Sequence, residues 1–196
     1  MKDIVISGLS KCFGEQVVLK DFNAVFKAGE LSCIMGVSGG GKTTLLNILL
    51  GLISMDAGEI DGIPENISCV FQEDRLCEDF SAVTNVRIAC DKNVDSTEIE
   101  SQLKKVGLGD SMYRTVRELS GGMKRRVAIV RALMATADLI IMDEPFKGLD
   151  ESTKLTVAEF VKKQLKGRTA IMVTHDESEV ELMGGRLIVM PVSEII

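Results

Sequence analysis

One short segment constrains the fold of this chain more than any other: a glycine-rich run between an apolar stretch and a helix. Residues 36–43 have the sequence G-V-S-G-G-G-K-T and fit the pattern G-x-x-x-x-G-K-[S/T]. Residues 31–35 before it are mostly apolar, as in a strand buried on both faces, and residues 42–50, closed by Gly51, predict a helix. This order of strand, glycine-rich run and helix predicts a phosphate-binding loop, because glycines let backbone N–H groups converge on an anion at a helix start.

Two adjacent acids mark the end of a second buried strand. Residues 139–142 are apolar, and Asp143 and Glu144 follow them. In open α/β sheets, ligands bind at the carboxyl ends of the strands, so these carboxylates are expected beside the phosphates. We expect Asp143 and the Thr43 hydroxyl to orient Mg²⁺, Lys42 to place its charge between the β- and γ-phosphates, and Glu144 to act as general base on the attacking water.

Two further polar residues follow predicted strands at the same edge. Gln72 follows residues 67–71, and His175, the only histidine, follows residues 170–173 by two positions. Taken alone, a single glutamine is more often a surface residue, and a single histidine beside a strand is usually structural. Gln72 could still contact Mg²⁺ or the attacking water, and His175, which lies at the same edge of the sheet as the glycine-rich loop, can hydrogen-bond to the γ-phosphate.

A second glycine-containing helix start lies far along the chain from the first. Ser120 precedes two glycines and is a good N-cap for a helix predicted to continue to about Met134, where apolar residues recur at steps of three and four. Its free N–H groups could receive a phosphate, although the segment taken alone favours a capped helix that binds nothing. We interpret Lys124, Arg125 and Arg126 as a solvated or partner-facing charge run.

The remaining pattern predicts one domain over residues 1–196, because strands that alternate with helices indicate a mainly parallel, doubly covered α/β sheet. A polar, helix-prone middle interrupts the strands. We expect a core of about residues 1–73 and 136–196 and a helical subdomain of about 74–135. The predicted elements are short β-prone runs around Val5, Val17, Val18, Val25 and Phe26, a connecting segment at 58–64, strands at 67–71, 139–142, 170–173 and 187–190, and helices at 98–106, 152–165 and 177–183.

Composition excludes several classes of function. The net charge is −6 and the pI is near 5.0, which argues against a nucleic-acid surface. Five scattered cysteines without a C-x-x-C pair favour reduced thiols over disulfides or a metal site. No apolar stretch approaches the roughly 18 residues that span a bilayer, and the N-terminus has no signal-peptide pattern. A role at a membrane is therefore expected to come through a partner.

With these residues in this order, the chain resembles the nucleotide-binding subunit of ABC transporters over nearly its whole length. The resemblance assigns each motif a name and, for Phe13, a role in stacking on adenine. The implied site residues are the Walker A loop (Gly36, Val37, Ser38, Gly39, Gly40, Gly41, Lys42, Thr43, Thr44), the Q-loop Gln72, the signature motif (Leu119, Ser120, Gly121, Gly122, Met123), Walker B ending in Asp143 and Glu144, the D-loop (Gly148, Leu149, Asp150) and the switch His175.

The resemblance also implies the fold and the assembly. The fold would be a P-loop NTPase core with a mainly parallel sheet, a small antiparallel β-subdomain and an inserted helical subdomain. ATP and Mg²⁺ would be bound between two subunits, in a homodimer or a heterodimer, with Ser120 of one subunit near the γ-phosphate held by Lys42 of the other. The partners would be an integral membrane permease on the cytoplasmic face and, as a further candidate, an extracytoplasmic binding protein.

Within this family, residues 71–76, F-Q-E-D-R-L, look most like importers of the nitrate, sulfonate and taurine group. The chain departs from the common pattern at Met123, where glutamine is commoner, at Lys147 before the D-loop, and at Phe13, where tyrosine is usual. The stretch 58–67 is short, which suggests a trimmed antiparallel sheet. Three alternatives stay open: an ABC ATPase without a permease, such as the iron–sulfur assembly type, a P-loop kinase, and a nucleotide-binding scaffold without turnover. The transported substrate and its direction are not encoded in these motifs.

Overall fold

The computed structural model describes residues 2–191, which form two sheets and six α-helices. A 3₁₀ turn at Val116–Glu118 precedes the fourth helix. The strands are β1 (Ile4–Phe13), β2 (Gln16–Phe26), β3 (Leu31–Met35), β4 (Ala57–Asp61), β5 (Ile67–Val70), β6 (Leu139–Asp143), β7 (Thr169–Val173) and β8 (Arg186–Val189), and the helices are α1 (Lys42–Leu49), α2 (Ala82–Arg87), α3 (Ser96–Lys105), α4 (Gly121–Met134), α5 (Glu151–Leu165) and α6 (Glu177–Met183).

The larger sheet is parallel and carries the strands that the sequence pattern predicts. Among the described residues its strand order is β5-β6-β7-β3-β8, and every residue of β6 and β7 is buried. Strands buried on both faces need apolar residues at successive positions, which is why these runs lack alternation. The predicted strands and helices of this layer are confirmed, with boundaries that differ by a residue or two. Strand β3, which precedes the glycine-rich loop, lies inside the sheet between β7 and β8.

The smaller sheet is antiparallel, in the order β2-β1-β4. The interpretation of residues 58–64 as a connecting segment is wrong for residues 58–61, because β4 (Ala57–Asp61) pairs with β1 through Ile6 and Ile60, and only residues 62–64 lie outside the strands. Four of the five β4 residues are exposed, so the strand has no apolar alternation to reveal it, and its pairing partner decides its conformation. Gly58 has φ +97°, and a Cβ there would lie 2.6 Å from the carbonyl oxygen of Gly8.

The helical middle of the chain packs on one side of the parallel sheet. Helices α2, α3 and α4 contact one another, and α4 also contacts β5 and α5. Their apolar faces join one large buried cluster with the sheet, while α1 and the small sheet enclose a second cluster on the other side. The helix predicted at 98–106 is α3, which begins two residues earlier because Asp95 accepts the N–H of Thr97 as its N-cap. The boundaries of the helical subdomain stay a prediction.

Candidate functional site

The glycine-rich loop between β3 and α1 is closed around a lysine. Lys42 is 8% exposed, and its Nζ donates to the carbonyl oxygens of Gly36 and Val37 at 2.8 Å each. Gly41 has φ +84°, and a Cβ there would lie 2.9 Å from the carbonyl oxygen of Val18. The loop therefore requires glycine at this position, both for its backbone conformation and for its close approach to β2.

The first turn of α1 presents N–H groups without a side-chain partner at the cap. Its N-cap is Gly41, which offers no side-chain oxygen, and its first turn carries no acidic residue. The first N–H groups of any helix lack intrahelical acceptors, and the helix dipole adds positive charge there. Together with the Lys42 ammonium, this helix start has the chemistry of a receptor for phosphate oxygens.

Asp143 ends β6 beside the same loop. The Thr43 hydroxyl donates to its Oδ2 at 3.3 Å, and burial raises the pKa of Asp143 above its usual value, an effect that the Thr43 hydrogen bond partly offsets. A cation at this carboxylate would relieve the cost of burying its charge. In residues 2–191 no group of three or more His, Cys, Asp or Glu side chains could hold a metal. This sparse oxygen set fits Mg²⁺, which keeps several waters and binds through one or two carboxylates and substrate phosphates.

Glu144 follows Asp143 in a backbone conformation that is unusual for a non-glycine residue, with φ +47°. Its N–H donates to the Val173 carbonyl at 2.9 Å, and its carboxylate lies between the side chains of His175 and Lys147. His175 Nδ1 is 3.0 Å from Oε1, and Lys147 Nζ is 2.9 Å from Oε2. Burial raises the pKa of Glu144, but Lys147 and His175 more than offset it, so that the net shift is downward.

The sequence-predicted residues of this edge meet in one open cavity of about 1290 Å³. Phe13, half exposed at the end of β1, forms one part of its wall. His175, expected beside a phosphate, here contacts Glu144. The predicted site residues that line the cavity are Phe13, Gly36, Val37, Ser38, Gly39, Gly41, Lys42, Thr43, Thr44, Gln72, Asp143, Glu144 and His175, while Gly40 lies within the loop and donates its N–H to the Val37 carbonyl at 3.0 Å.

The second helix start lies outside this cavity. Ser120 caps α4 by accepting the Met123 N–H at 3.3 Å, as predicted. Ser120 and Gly121 are exposed, and a Cβ on Gly121 would meet no atom within 4 Å. Leu119 is buried beneath them. Within one protomer, the structure therefore does not bring the two predicted anion-binding helix starts together.

The residues of the expected D-loop lie beside the second helix start. A Cβ on Gly122 would lie 3.4 Å from the Gly148 carbonyl oxygen and 3.4 Å from Leu149. Asp150 caps α5, and its carboxylate accepts the N–H and hydroxyl of Thr153 together with a third hydrogen bond, which hold the pKa of Asp150 well below its usual value. These residues connect the start of α4 to the start of α5.

The interpretation of residues 124–126 as a solvated charge run is wrong for Arg125. Its side chain is buried, and its N–H groups donate to backbone carbonyls at the ends of β5 and β6. A sequence signal was available: Arg125 stands three and four positions before the buried Ala128 and Ile129, on the inner face of α4. Lys147 was noted only as a departure from a motif, and its contact with Glu144 was missed.

Comparisons with known proteins agree with this geometry. A profile of the ABC transporter family matches residues 19–147. An aliphatic sulfonates import ATP-binding protein SsuB 1 of Rhizobium johnstonii is 38% identical over 95% of this chain and 73% of its own length. A taurine import ATP-binding protein TauB of Pelagibacter ubique is 38% identical over 97% of this chain and 79% of its own. The predicted likeness to sulfonate and taurine importers is confirmed by these relatives.

A solved structure shows the same fold. The dimeric structure of MJ0796, a bacterial ABC transporter cassette, superposes with a TM-score of 0.84 and 30% identity, covering 98% of this chain and 96% of that one. The predicted fold class, a P-loop NTPase core with an antiparallel β-subdomain and inserted helices, is confirmed. Among the described residues, no helix has the length and apolarity needed to cross a membrane.

Proposed function

Since this chain belongs to the ABC transporter family and is an ATP hydrolase of the importer type, we propose that it powers a membrane permease as half of an ATP-sandwiched dimer. The observation that supports this most directly is the division of the site. The cavity holds the phosphate loop, the acids and His175, whereas Ser120 and Gly121 stand exposed outside it. A second subunit that laid its own α4 start over the cavity would complete the site.

The hydrolytic step follows from the groups that line the cavity. The loop N–H groups and Lys42 would hold the β- and γ-phosphates, and Phe13 would stack on the adenine. Thr43, Asp143 and Gln72 would hold Mg²⁺, whose charge neutralises phosphate oxygens. Glu144 would accept a proton from the attacking water as the water oxygen bonds to the γ-phosphorus. At the same time, the bond between the γ-phosphorus and the β,γ-bridging oxygen would break and ADP would leave.

His175 would keep the Glu144 carboxylate in place during this step. Its Nδ1 already lies 3.0 Å from Oε1, while Lys147 Nζ lies 2.9 Å from the other oxygen, Oε2, which Lys147 would have to release to the attacking water. The ring is largely exposed to the cavity, so it can turn from the carboxylate to a phosphate oxygen when one arrives. His175 could therefore contact either the general base or the group that is transferred.

Coupling to transport would pass through partners. We place the dimer on the cytoplasmic face of the membrane, bound to an integral permease, with an extracytoplasmic binding protein as a further candidate partner. The relatives carry aliphatic sulfonates and taurine in their names. For this chain, we propose that the permease and the binding protein select the substrate, since the cavity itself is built for a nucleotide.

The dimer is tested with Glu144→Gln, which keeps the shape of the side chain but removes the base. In ATP and Mg²⁺ this variant should elute as a dimer from a sizing column, because the nucleotide that joins the subunits is no longer hydrolysed. Glu181→Gln, also in the cavity wall, is the matched control and should elute like the wild type. A Glu144→Gln protein that stays monomeric with ATP would contradict pairing of two copies, and capture of the membrane complex would then show whether another subunit takes that place.

A further inference from the structure

Arg125 is the least exposed charged side chain that the structure describes, at 3% exposure. It lies one turn beyond the exposed start of α4. A guanidinium has five N–H donors in a planar fork and no acceptor, so a buried one must be surrounded by oxygen atoms. The identity of those oxygens shows which parts of the chain this side chain holds together.

One edge of the guanidinium holds the turn that carries the general base. Nη2 donates to the carbonyl oxygens of Asp143 and Glu144, at 2.6 Å each, and Nε donates to that of Pro145 at 3.0 Å. The Glu144 N–H is bound on its other side by Val173. The peptide groups on both sides of the Glu144 Cα are thus fixed, which stabilises its positive φ and the direction of its side chain.

The other edge holds the segment that follows β5. Nη1 donates to the Phe71 carbonyl at 2.5 Å and to Asp74 Oδ1 at 3.1 Å, with a longer contact of 3.4 Å to the Gln72 carbonyl. Two turns later in α4, Arg131 donates to the carbonyls of Asp74 and Arg75 at 2.9 and 2.8 Å. Helix α4 therefore holds the Gln72 segment at two points, but only Arg125 of these two arginines also holds Glu144.

We propose that Arg125 is a positioning residue that couples α4 to the catalytic edge of its own subunit. One side chain joins the helix that starts at Ser120, the turn that aims Glu144, and the segment that carries Gln72. When the start of α4 meets a nucleotide across the dimer, its displacement is transmitted through the guanidinium to the general base. This inference rests on the proposed function, since it concerns the geometry of the same hydrolytic site.

The test replaces Arg125 with lysine, which keeps the charge but cannot reach two sets of carbonyls at once. Arg125→Lys should lower kcat on the order of 10- to 100-fold, as expected when a catalytic group is displaced by about 1 Å. KM and the affinity for a fluorescent ATP analogue should stay unchanged, because the phosphate loop does not contact Arg125. Thermal unfolding of each variant is measured in parallel.

Arg168→Lys is the matched control, because Arg168 also donates to backbone carbonyls, those of Leu133, Ala135 and Ala137 at the far end of α4. It should lower the thermal midpoint while kcat is retained. Arg131→Lys loosens the segment after Gln72 without touching Glu144, and should lower kcat less than Arg125→Lys does. If Arg125→Lys does not fold, Arg125→Gln, whose amide still donates to a carbonyl, enters the same comparison.

Two results overturn the inference. One is an Arg125→Lys protein with wild-type kcat, and the other is a kcat loss in the Arg125 and Arg168 variants that simply follows their loss of stability. Failure of the proposed dimer is recognised separately, because the Glu144→Gln protein would then stay monomeric with ATP and Mg²⁺. A wild type that hydrolyses ATP beside an Arg125→Lys variant of equal kcat rejects the positioning role alone.

Discussion

The starts of α1 and α4 are both glycine-containing helix N-termini, yet they differ in burial and in capping. At α1, Gly41 packs against β2, Lys42 is 8% exposed, and the N-cap glycine offers no side-chain oxygen. At α4, Ser120 is exposed and caps its own helix. The first is a finished binding surface within one chain, whereas the second has only backbone N–H groups and an open approach.

In the proposed dimer, this difference would let ATP control the association of the two subunits. A helix N-terminus exposed to water attracts an anion weakly, since solvent and salt screen its partial charge. The same N-terminus becomes effective when it is pressed against phosphates in a closed, water-poor interface. A chain that keeps one strong and one weak half of the site therefore gains most from pairing when the nucleotide is present.

The largest effect is expected from a substitution in the phosphate loop at the start of α1. Lys42→Ala removes the charge at the centre of the phosphate loop, and loss of one preorganised electrostatic contact of this kind costs about 10²–10³ in rate. Phosphate release with ATP and Mg²⁺ measures the loss. Lys20→Ala, at an exposed position of β2, should leave turnover unchanged, and an active Lys42→Ala protein would contradict the assignment of the loop.

The exposed start of α4 is tested by a substitution that should change stability and activity in opposite directions. Gly121 has space for a side chain, and an aspartate in the first turn of α4 should stabilise the helix by about 0.3–1 kcal/mol through the dipole. The same carboxylate would repel a phosphate brought to this helix start. Gly121→Asp should therefore raise the thermal midpoint and lower ATPase activity, with Gly121→Ala as the uncharged control.

Mixing the Lys42→Ala and Gly121→Asp proteins then tests whether the phosphate loop of one chain works together with the α4 start of another. In a mixed dimer, the Gly121→Asp chain supplies an intact phosphate loop and the Lys42→Ala chain supplies an intact α4 start. Random pairing of equal amounts would restore up to about a quarter of the sites in a symmetric dimer. No recovery on mixing, in a protein shown to dimerise, would contradict a site built from two subunits.

Much of this architecture could be predicted because its signals are local. The runs that form β3, β6 and β7 are apolar at successive positions, and the loop before Lys42 has a fixed spacing, so the cavity edge could be assembled from strand ends alone. Strand β4 could not, because its exposed residues carry no pattern and its conformation depends on pairing with β1. For β4, the pairing with β1 decides the backbone conformation, and the intrinsic strand propensity of its residues does not.

The missed residues share a physical reason as well. Charged side chains are usually solvated, so a run of three basic residues favours a surface interpretation. Arg125 is buried because the turn after β6 and the segment after β5 leave carbonyl oxygens pointing toward α4, which is a property of the packed structure. The contact of Lys147 with Glu144 likewise depends on a turn in which the Lys147 N–H donates to the Glu144 carbonyl at 3.1 Å.

The smallest predicted effect concerns Lys147. It tests whether the groups beside the phosphate loop are already in place before ATP binds. Lys147 is 54% exposed and pairs with a carboxylate that is 17% exposed. An ion pair of this kind is worth about 0.2–1 kcal/mol. Lys147→Met should free the carboxylate, raise the pKa of Glu144 toward its usual value and increase kcat by the corresponding factor, about 1.4- to 5-fold.

The restraint on the general base is expected to come from the positive charge at position 147. Lys147→Arg keeps that charge and should therefore behave like the wild type in the same phosphate-release assay. A different result would change the comparison between the two halves. If Lys147→Met lowers kcat and raises KM, then Lys147 leaves Glu144 for the triphosphate when ATP binds. The buried half would in that case contain a second mobile cation, and would be completed by the nucleotide rather than before it.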